Sequence, residues 1–262
     1  MPVQRQPLSV VIITLNAASS LADCLASVRF ADEVLVVDSG STDGTQALAA
    51  AAGARVIEQA WLGFGPQKQF AVEAAHHDWV LCLDADERVS DELRHSLEKA
   101  LSAPSTVTAW RFARCNRFLG RYLRHGEGYP DWSLRLFDRR HARWSDDAVH
   151  EKVIARGEIG TLAGDLLHDL AESLTAYLSK QNRYTSLAAE MAVAAGKRAG
   201  AGRLVFSPLV RFLKFYLLRQ GFRDGLPGLI HIAIGCFNSF IKYAKMRELH
   251  LAGRGTKKGD GG

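Results

Sequence analysis

"DWVLCLDADERVSDEL", residues 78–93, sets an apolar run, Trp79 to Leu83, directly against Asp84-Ala85-Asp86-Glu87. A run that short and that apolar suits a strand buried on both faces of a parallel sheet. Three carboxylates within four residues repel one another. The cluster is therefore either solvated or holds something positive.

The same kind of run recurs upstream. "LSVVIITL" (8–15), "EVLVVD" (33–38) and "ARVIEQ" (54–59) read as strands. Helices are expected between them: "SSLADCLASVR", with Leu21, Leu25 and Val28 on one face, then "STDGTQALAAAAG", and "PQKQFAVEAAHH". This alternation predicts an α/β fold with a mostly parallel sheet flanked by helices. In such sheets ligands sit at the carboxyl ends of the strands. Thr14-Leu15-Asn16, Asp38-Ser39-Gly40-Ser41 and Asp84-Ala85-Asp86 then share one rim.

At 262 residues and 47% hydrophobic content the chain can bury a sizeable core. Cys24, Cys82, Cys115 and Cys236 are scattered, without metal spacing, and are expected as free thiols. "MPVQRQP" carries no signal-peptide pattern, which predicts a cytoplasmic location. The net charge of +5 is unevenly spread. Residues 203–262 hold eleven Lys/Arg against three Asp/Glu, and the rest of the chain 22 against 25. The basic character belongs to the tail.

Each cluster has a chemical and a plainer account. Asp84 and Asp86 offer hard oxygens suited to Mg²⁺ or Mn²⁺; alternatively they form an exposed acidic turn before the helix "SDELRHSLEKAL". Glu87 is expected to favour the start of that helix. Asp38 ends a buried strand and can accept from a nucleobase imide or a ribose, whereas Ser41 or Thr42 alone suffices as a helix N-cap. Neither G-x-G-x-x-G nor G-x-x-x-x-G-K-[ST] follows a strand, which argues against dinucleotide oxidoreductases and P-loop NTPases.

"LSVVIITLN", "VLVVDSGSTDGT", "GFGPQKQFAVEAA" and "VLCLDADE", in this order and spacing, resemble glycosyltransferase family 2, the inverting nucleotide-sugar transferases of GT-A fold. Within it the chain is similar to the lipopolysaccharide inner-core β-glucosyltransferase branch, through "YPDWSLRLF" (129–137), "VHEKV" (149–153) and "LLHDL" (166–170). The resemblance implies donor contacts at Thr14, Asn16, Asp38, Lys68 and Asp84. It implies a metal site from Asp84, Asp86 and His168, holding Mg²⁺ or Mn²⁺. Ser39 stands where many members carry a second acid, so Asp38 is left to meet the base alone. Asp131 is the implied catalytic base and Glu151, beside His150, its rival. A salt bridge to a nearby arginine is the plainer role for Asp131.

Arginines 111, 114, 117, 121, 124, 135, 139, 140 and 143 suit an acceptor rich in carboxylate and phosphate, or form a solvated basic face. Arg124, Trp132, Arg135, His150 and Glu151 are the expected acceptor contacts. Trp132 and Trp144 are candidates for stacking on sugars, with core packing as the alternative.

The expected organisation is a catalytic domain over 1–170, with a nucleotide half at 8–103 and an acceptor half at 104–170. A helical, membrane-associating region at 171–250 and a disordered tail at 251–262 follow. "RLVFSPLVRFLKFYLLRQGFR" and "LPGLIHIAIGCFNSFIKYAKMR" are apolar with basic punctuation and neither supplies a clean spanning length. Arg203, Arg211 and Lys214 in one sector point to a helix lying on anionic lipid; a helical pair packed on the catalytic domain is the alternative. The resemblance thus implies hexose transfer, with glucose as the expected sugar, from a UDP-sugar to a lipid-linked oligosaccharide. The expected place is peripheral, on the cytoplasmic face of a bacterial inner membrane, with no nucleic acid as partner. A nucleotidyltransferase of similar fold and a non-catalytic membrane scaffold are the rival readings.

Overall fold

A computed structural model describes residues 5–147, 151–169 and 173–256. β1 (Leu8–Thr14), α1 (Ala18–Ser27), β2 (Glu33–Asp38), α2 (Thr45–Ala51), β3 (Arg55–Glu58), α3 (Phe64–Ala74) and β4 (Trp79–Asp84) alternate as the apolar runs predict. β5 (Glu87–Val89), α4 (Asp91–Ser102), β6 (Val107–Phe118), β7 (Arg121–Tyr122), β8 (Asp131–Asp138), β9 (Ala142–Trp144), β10 (Val153–Ala155) and β11 (Glu158–Asp169) follow. The chain ends in α5 (Leu174–Ala194), α6 (Ala201–Phe212), a π-helical turn over Leu213–Leu218, a 3-10 turn over Gly221–Asp224, and α7 (Gly225–Thr256).

Two compact units result. One takes the chain up to Asn116 and Pro130–Asp169; the other takes Arg117–Tyr129 and the chain beyond Asp169. The boundary near residue 170 falls where strands give way to helices. Assignment of 117–129 to the helical unit is not visible in the sequence, because it rests on long-range pairing. In that unit His125 donates its backbone N–H to Asp224 Oδ2 (2.7 Å) and sets Nδ1 2.9 Å from Oδ1, while Glu127 pairs with Arg211.

In the first unit the sheet order is β3-β2-β1-β4-β8-β6-β11-β5. β3, β2, β1 and β4 run parallel; from β4 to β8 the pairing turns antiparallel, as it is between β8 and β6 and between β11 and β5. The expected parallel sheet is thus its first half. Alternate residues feed two cores, as period-two geometry requires. Val10, Ile12, Leu81 and Leu83 face α1 and α4; Val11, Leu35, Val37, Val80 and Cys82 face α3. At roughly 25 cal/mol per Å² of apolar surface removed from water, these two layers dominate the folding energy. Strand order reverses around β1, which lies between β2 and β4, and its end is the position where such sheets bind ligands.

Glu87 does not start a helix. It lies in β5, fully buried, and the N-cap of α4 is Ser90, whose Oγ accepts the Leu93 N–H at 3.3 Å. Asp91 and Glu92 supply the first-turn charge there.

In the helical unit α7 packs on α5 and α6, around Ala189, Ala192 and Met246. Residues 251–256, expected to be disordered, continue α7, and 257–262 lie outside the described residues. Gly221–Ala252 is also long and apolar enough, by length and composition alone, to cross a membrane: an 18-residue window has mean hydropathy 1.2 and is 28% buried. No residue of α6 is buried.

Candidate active site

The ends of β1, β2 and β4 meet by register, with Thr14 opposite Asp38 and Ile13 opposite Asp84. Asp38 is fully buried. Its Oδ1 accepts from Gly40 N (3.0 Å), Ser41 N (2.8 Å) and Gln46 Nε2 (2.7 Å), and its Oδ2 from Thr14 Oγ1 (2.7 Å) and Ser41 Oγ (2.5 Å). Burial opposes its charge, but these bonds, led by Ser41 and Gln46, hold the carboxyl down at about 2. Both oxygens of the carboxylate are thus bonded within the chain, by its own turn and by Thr14 of β1.

Asn16 sits in the left-handed region, at φ 51°, a conformation asparagine tolerates. Its N–H donates to Ser41 Oγ (2.7 Å) and its Oδ1 accepts from Thr42 N (2.9 Å). Asp43 Oδ2 accepts from Ala18 N (3.0 Å), and Thr45 Oγ1 from Ala17 N (2.9 Å). The Ser/Thr/Asp turn therefore serves both helices: it caps α1, and Asp43 Oδ1 also accepts the N–H of Thr45, the first residue of α2, whose N-cap position is Gly44 and not Ser41 or Thr42.

A second, charged network lies at the end of β4. Lys68 in α3, only 5% exposed, places Nζ 3.1 Å from both Asp84 Oδ1 and Glu151 Oε1, over the Trp144 ring at 4.8 Å. Gly65 permits this approach, since a Cβ there would meet Ser145 O at 2.4 Å. Arg135, equally buried, places Nη2 3.0 Å from Asp84 Oδ2 and 3.5 Å from Glu87 Oε1. Arg114 reaches Glu87 Oε1 at 3.5 Å and Asp131 Oδ2 at 2.7 Å. Burial works against charge on Asp84, yet Arg135 and then Lys68 hold its carboxyl well below the usual range. For Glu87 burial prevails and the carboxyl is raised, with Arg135 offsetting only part of it.

Asp86 and His168 form the third group. His168 Nε2 lies 3.3 Å from Asp86 Oδ2 while Nδ1 lies 2.7 Å from Asn116 Oδ1. In the tautomer with its N–H on Nδ1, toward Asn116 Oδ1, the Nε2 lone pair faces Asp86. Pairing of β5 with β11, His168 opposite Glu87, brings the two together. The expected three-residue metal site is not assembled: Asp84 is spent on Lys68 and Arg135, and no group of three His, Cys, Asp or Glu forms a metal cage among the described residues. An imidazole and a carboxylate fit a divalent cation that takes its remaining ligands from phosphate and water.

Arg135 is not an acceptor-facing group, because its guanidinium is buried on Asp84. The other arginines do not make one face either. Arg139 Nη1 donates to the Ala75 carbonyl at 2.5 Å, Arg140 pairs with Asp138 and Asp78, and Arg143 with Asp146. Trp144 is a core residue that donates Nε1–H to Cys82 Sγ at 3.4 Å. Trp132 is half exposed beneath Arg111, and Arg124 is exposed in the helical unit. His150 lies outside the described residues.

Four further residues organise the site. Fully buried Gln67 ties Ser39 Oγ (3.1 Å), the Gln59 carbonyl (3.2 Å) and Leu62 N (3.2 Å) together. Glu87, Arg114 and Asn116 are the other three, and the last two carried a signal: polar residues two apart on one face of a strand.

A family model described as glycosyl transferase family 2 matches residues 9–155. The chain is 34% identical to the lipopolysaccharide core biosynthesis glycosyltransferase LpsC of Rhizobium meliloti (strain 1021), covering 95% of this chain and 94% of that one. It is 31% identical to the uncharacterized glycosyltransferase RT0209 of Rickettsia typhi, covering 97% and 91%. Among solved structures, the mannosyltransferase PcManGT of Pyrobaculum calidifontis, in complex with GDP-Man and Mn²⁺, matches with a TM-score of 0.50 at 17% identity, over 95% of this chain and 87% of that one.

Proposed function

Because this chain belongs to glycosyl transferase family 2 and is a glycosyltransferase of GT-A fold, we propose that it moves a hexose, glucose in our reading, from a UDP-sugar to a membrane-anchored glycolipid, the inner-core heptose of lipopolysaccharide. The family match leaves no room for the nucleotidyltransferase or the non-catalytic scaffold. The observation that carries the finer reading is the Asp86–His168 pair, 3.3 Å apart, at the end of β4 beside the turns of β1 and β2.

Mg²⁺ or Mn²⁺, when bound, neutralises the charge that develops on a departing diphosphate. Asp86 and His168 would hold it. Thr14, Asn16 and Asp38 act by shaping the nucleotide turn, and Lys68 and Arg135 set positive charge on Asp84, beside that turn. The inverting step needs a carboxylate to take the acceptor hydroxyl proton. Asp131 fits: the antiparallel register of β8 on β4 carries its start toward the carboxyl end of β4, and its side chain is 37% exposed. Both candidates are ion-paired, Asp131 with Arg114 at 2.7 Å, the plainer role given for it above, and Glu151 with the buried Lys68 at 3.1 Å; Asp131 is the more exposed, at 37% against 21%.

UDP binding by calorimetry tests this reading. Binding is expected to require Mg²⁺ or Mn²⁺ and to weaken at least about 100-fold in Asp86→Ala, the top of the range for a partner outside the metal shell. UDP release across a donor panel, with lipid-bearing and delipidated acceptors, then identifies the sugar. Metal-independent binding would overturn the site.

The helical unit would bring the enzyme to the acceptor as a peripheral protein on the cytoplasmic face of the inner membrane. Val205, Phe206, Leu209, Val210, Leu217 and Leu218 are each more than half exposed, and exposed Arg203 and Lys214 flank them. Arg211 is engaged by Glu127 and is not offered to lipid. An exposed apolar face with basic neighbours suits an anionic bilayer. Co-sedimentation with phosphatidylglycerol vesicles should fall about tenfold in Phe206→Glu, with UDP binding unchanged; equal sedimentation of the two proteins would remove the membrane contact.

A further inference from the structure

Glu87 has no part in the chemistry above. It is fully buried in β5, two residues before Val89 of the core, yet it carries a carboxylate. One oxygen, Oε2, accepts the backbone N–H of Asp84 at 3.0 Å, closing the turn through Ala85 and Asp86. The other, Oε1, faces two guanidinium groups at 3.5 Å each, Arg135 from β8 and Arg114 from β6. Each arginine has a second, closer carboxylate. Arg135 lies 3.0 Å from Asp84, and Arg114 lies 2.7 Å from Asp131. Among the described residues the two pairs meet at Glu87.

Burying a carboxylate costs stability that an apolar side chain of similar volume avoids. The turn needs an acceptor at this position but no charge, and β5 needs neither. What the charge adds is its hold on the two arginines. Without it each guanidinium relaxes onto one remaining partner, Asp84 or Asp131. Asp131, gripped harder, gives up its oxygen to an incoming hydroxyl proton less readily.

We infer that Glu87 is a positioning residue, one carboxylate that shares Arg135 with Asp84 and Arg114 with Asp131 and so links the donor side of the site to the base. The inference rests on the functional reading above, in particular on Asp131.

Glu87→Gln separates the two jobs of this side chain, because glutamine keeps the acceptor for the Asp84 N–H and removes the charge. UDP affinity in Mn²⁺ is expected to stay within about threefold. The kcat for UDP release from UDP-glucose, with rough lipopolysaccharide in detergent as acceptor, should fall at least about tenfold, as for residues that act through a catalytic group. Arg114→Lys should lose a similar amount, and the double variant no more than either single one, because both break the same link. Wild-type kcat in Glu87→Gln, or losses that multiply in the double variant, would overturn the inference. If Glu87→Gln does not fold, the cycle is run between Arg114→Lys and Arg135→Lys, which keep their charges; additive losses there overturn it equally. Wild-type protein that fails to bind UDP with Mn²⁺ brings down the functional reading and this inference with it. Intact binding with unaffected kcat in the variants removes Glu87 alone.

Discussion

The turns after β2 and β4 both place a buried strand's last carboxylate on the same rim, yet they hold it by opposite means. Asp38 is satisfied by five neutral donors, four of them from residues 40–46 and one from Thr14. Asp84 is held by two cations brought from α3 and β8. Neutral hydrogen bonds within a turn fix geometry and leave little to rearrange. A carboxylate shared among cations keeps its partners through electrostatics, and under the proposed function an arriving diphosphate would compete for those same cations. In the function proposed above, the first turn would serve as a frame and the second would be the part that responds to the donor.

That contrast can be broken in graded ways. The largest effect should come on the charged side. Asp131→Ala is expected to lower kcat about 10²–10⁴-fold, the range for loss of a general base, with UDP affinity in Mn²⁺ little changed. If Glu151→Ala is dead and Asp131→Ala turns over normally, the base is Glu151 and the charged network serves a different end. A middle-sized effect separates the frames themselves. Asp38→Ala strands buried donors and should cost about 2–4 kcal/mol in urea unfolding. Asp84→Ala should cost about 1–2 kcal/mol, since Lys68 keeps Glu151 and Arg135 keeps Glu87. Equal losses would erase the distinction between the turns.

Acid gives the smallest test. The Asp38 carboxyl is held below its unfolded value, at about 2, so its contribution is full above the unfolded pKa. The stability it supplies is lost as pH falls from about 4 toward 2. Acid unfolding monitored by circular dichroism should therefore shift less with pH in Asp38→Asn than in the wild type over that window. An identical pH slope would show that the turn does not hold the charge.

The contrast also marks how far the sequence is legible. The apolar runs at 8–15, 33–38 and 78–83 locate three parallel strands because burial on both faces leaves a continuous hydrophobic signal. The turn around Asp38 is nearly as plain, since its donors lie within eight residues of it apart from Thr14. Its consequence is not: both oxygens of that carboxylate are already bonded by donors of the chain itself. The charged network was largely hidden. Lys68, Glu87, Arg114, Arg135 and Glu151 come from five separate segments, and no local period links them. Arg135 looked like an acceptor contact because an arginine in a polar stretch carries no sign of which neighbour will bury it. β5 was missed for a related reason. Three residues after an acidic turn form a strand only because β11 offers an edge to pair with.

By itself the sequence determined the α/β start of the chain, the shared rim and the family. These follow from burial periodicity and turn chemistry, which act over a few residues. Only the tertiary structure decided which charges meet. It turned half of the sheet antiparallel, set His168 beside Asp86, withdrew Asp84 from that pair, and drew residues 117–129 into the helical unit. Ion pairs and strand edges are contacts between distant segments, so their partners exist only once the chain has folded.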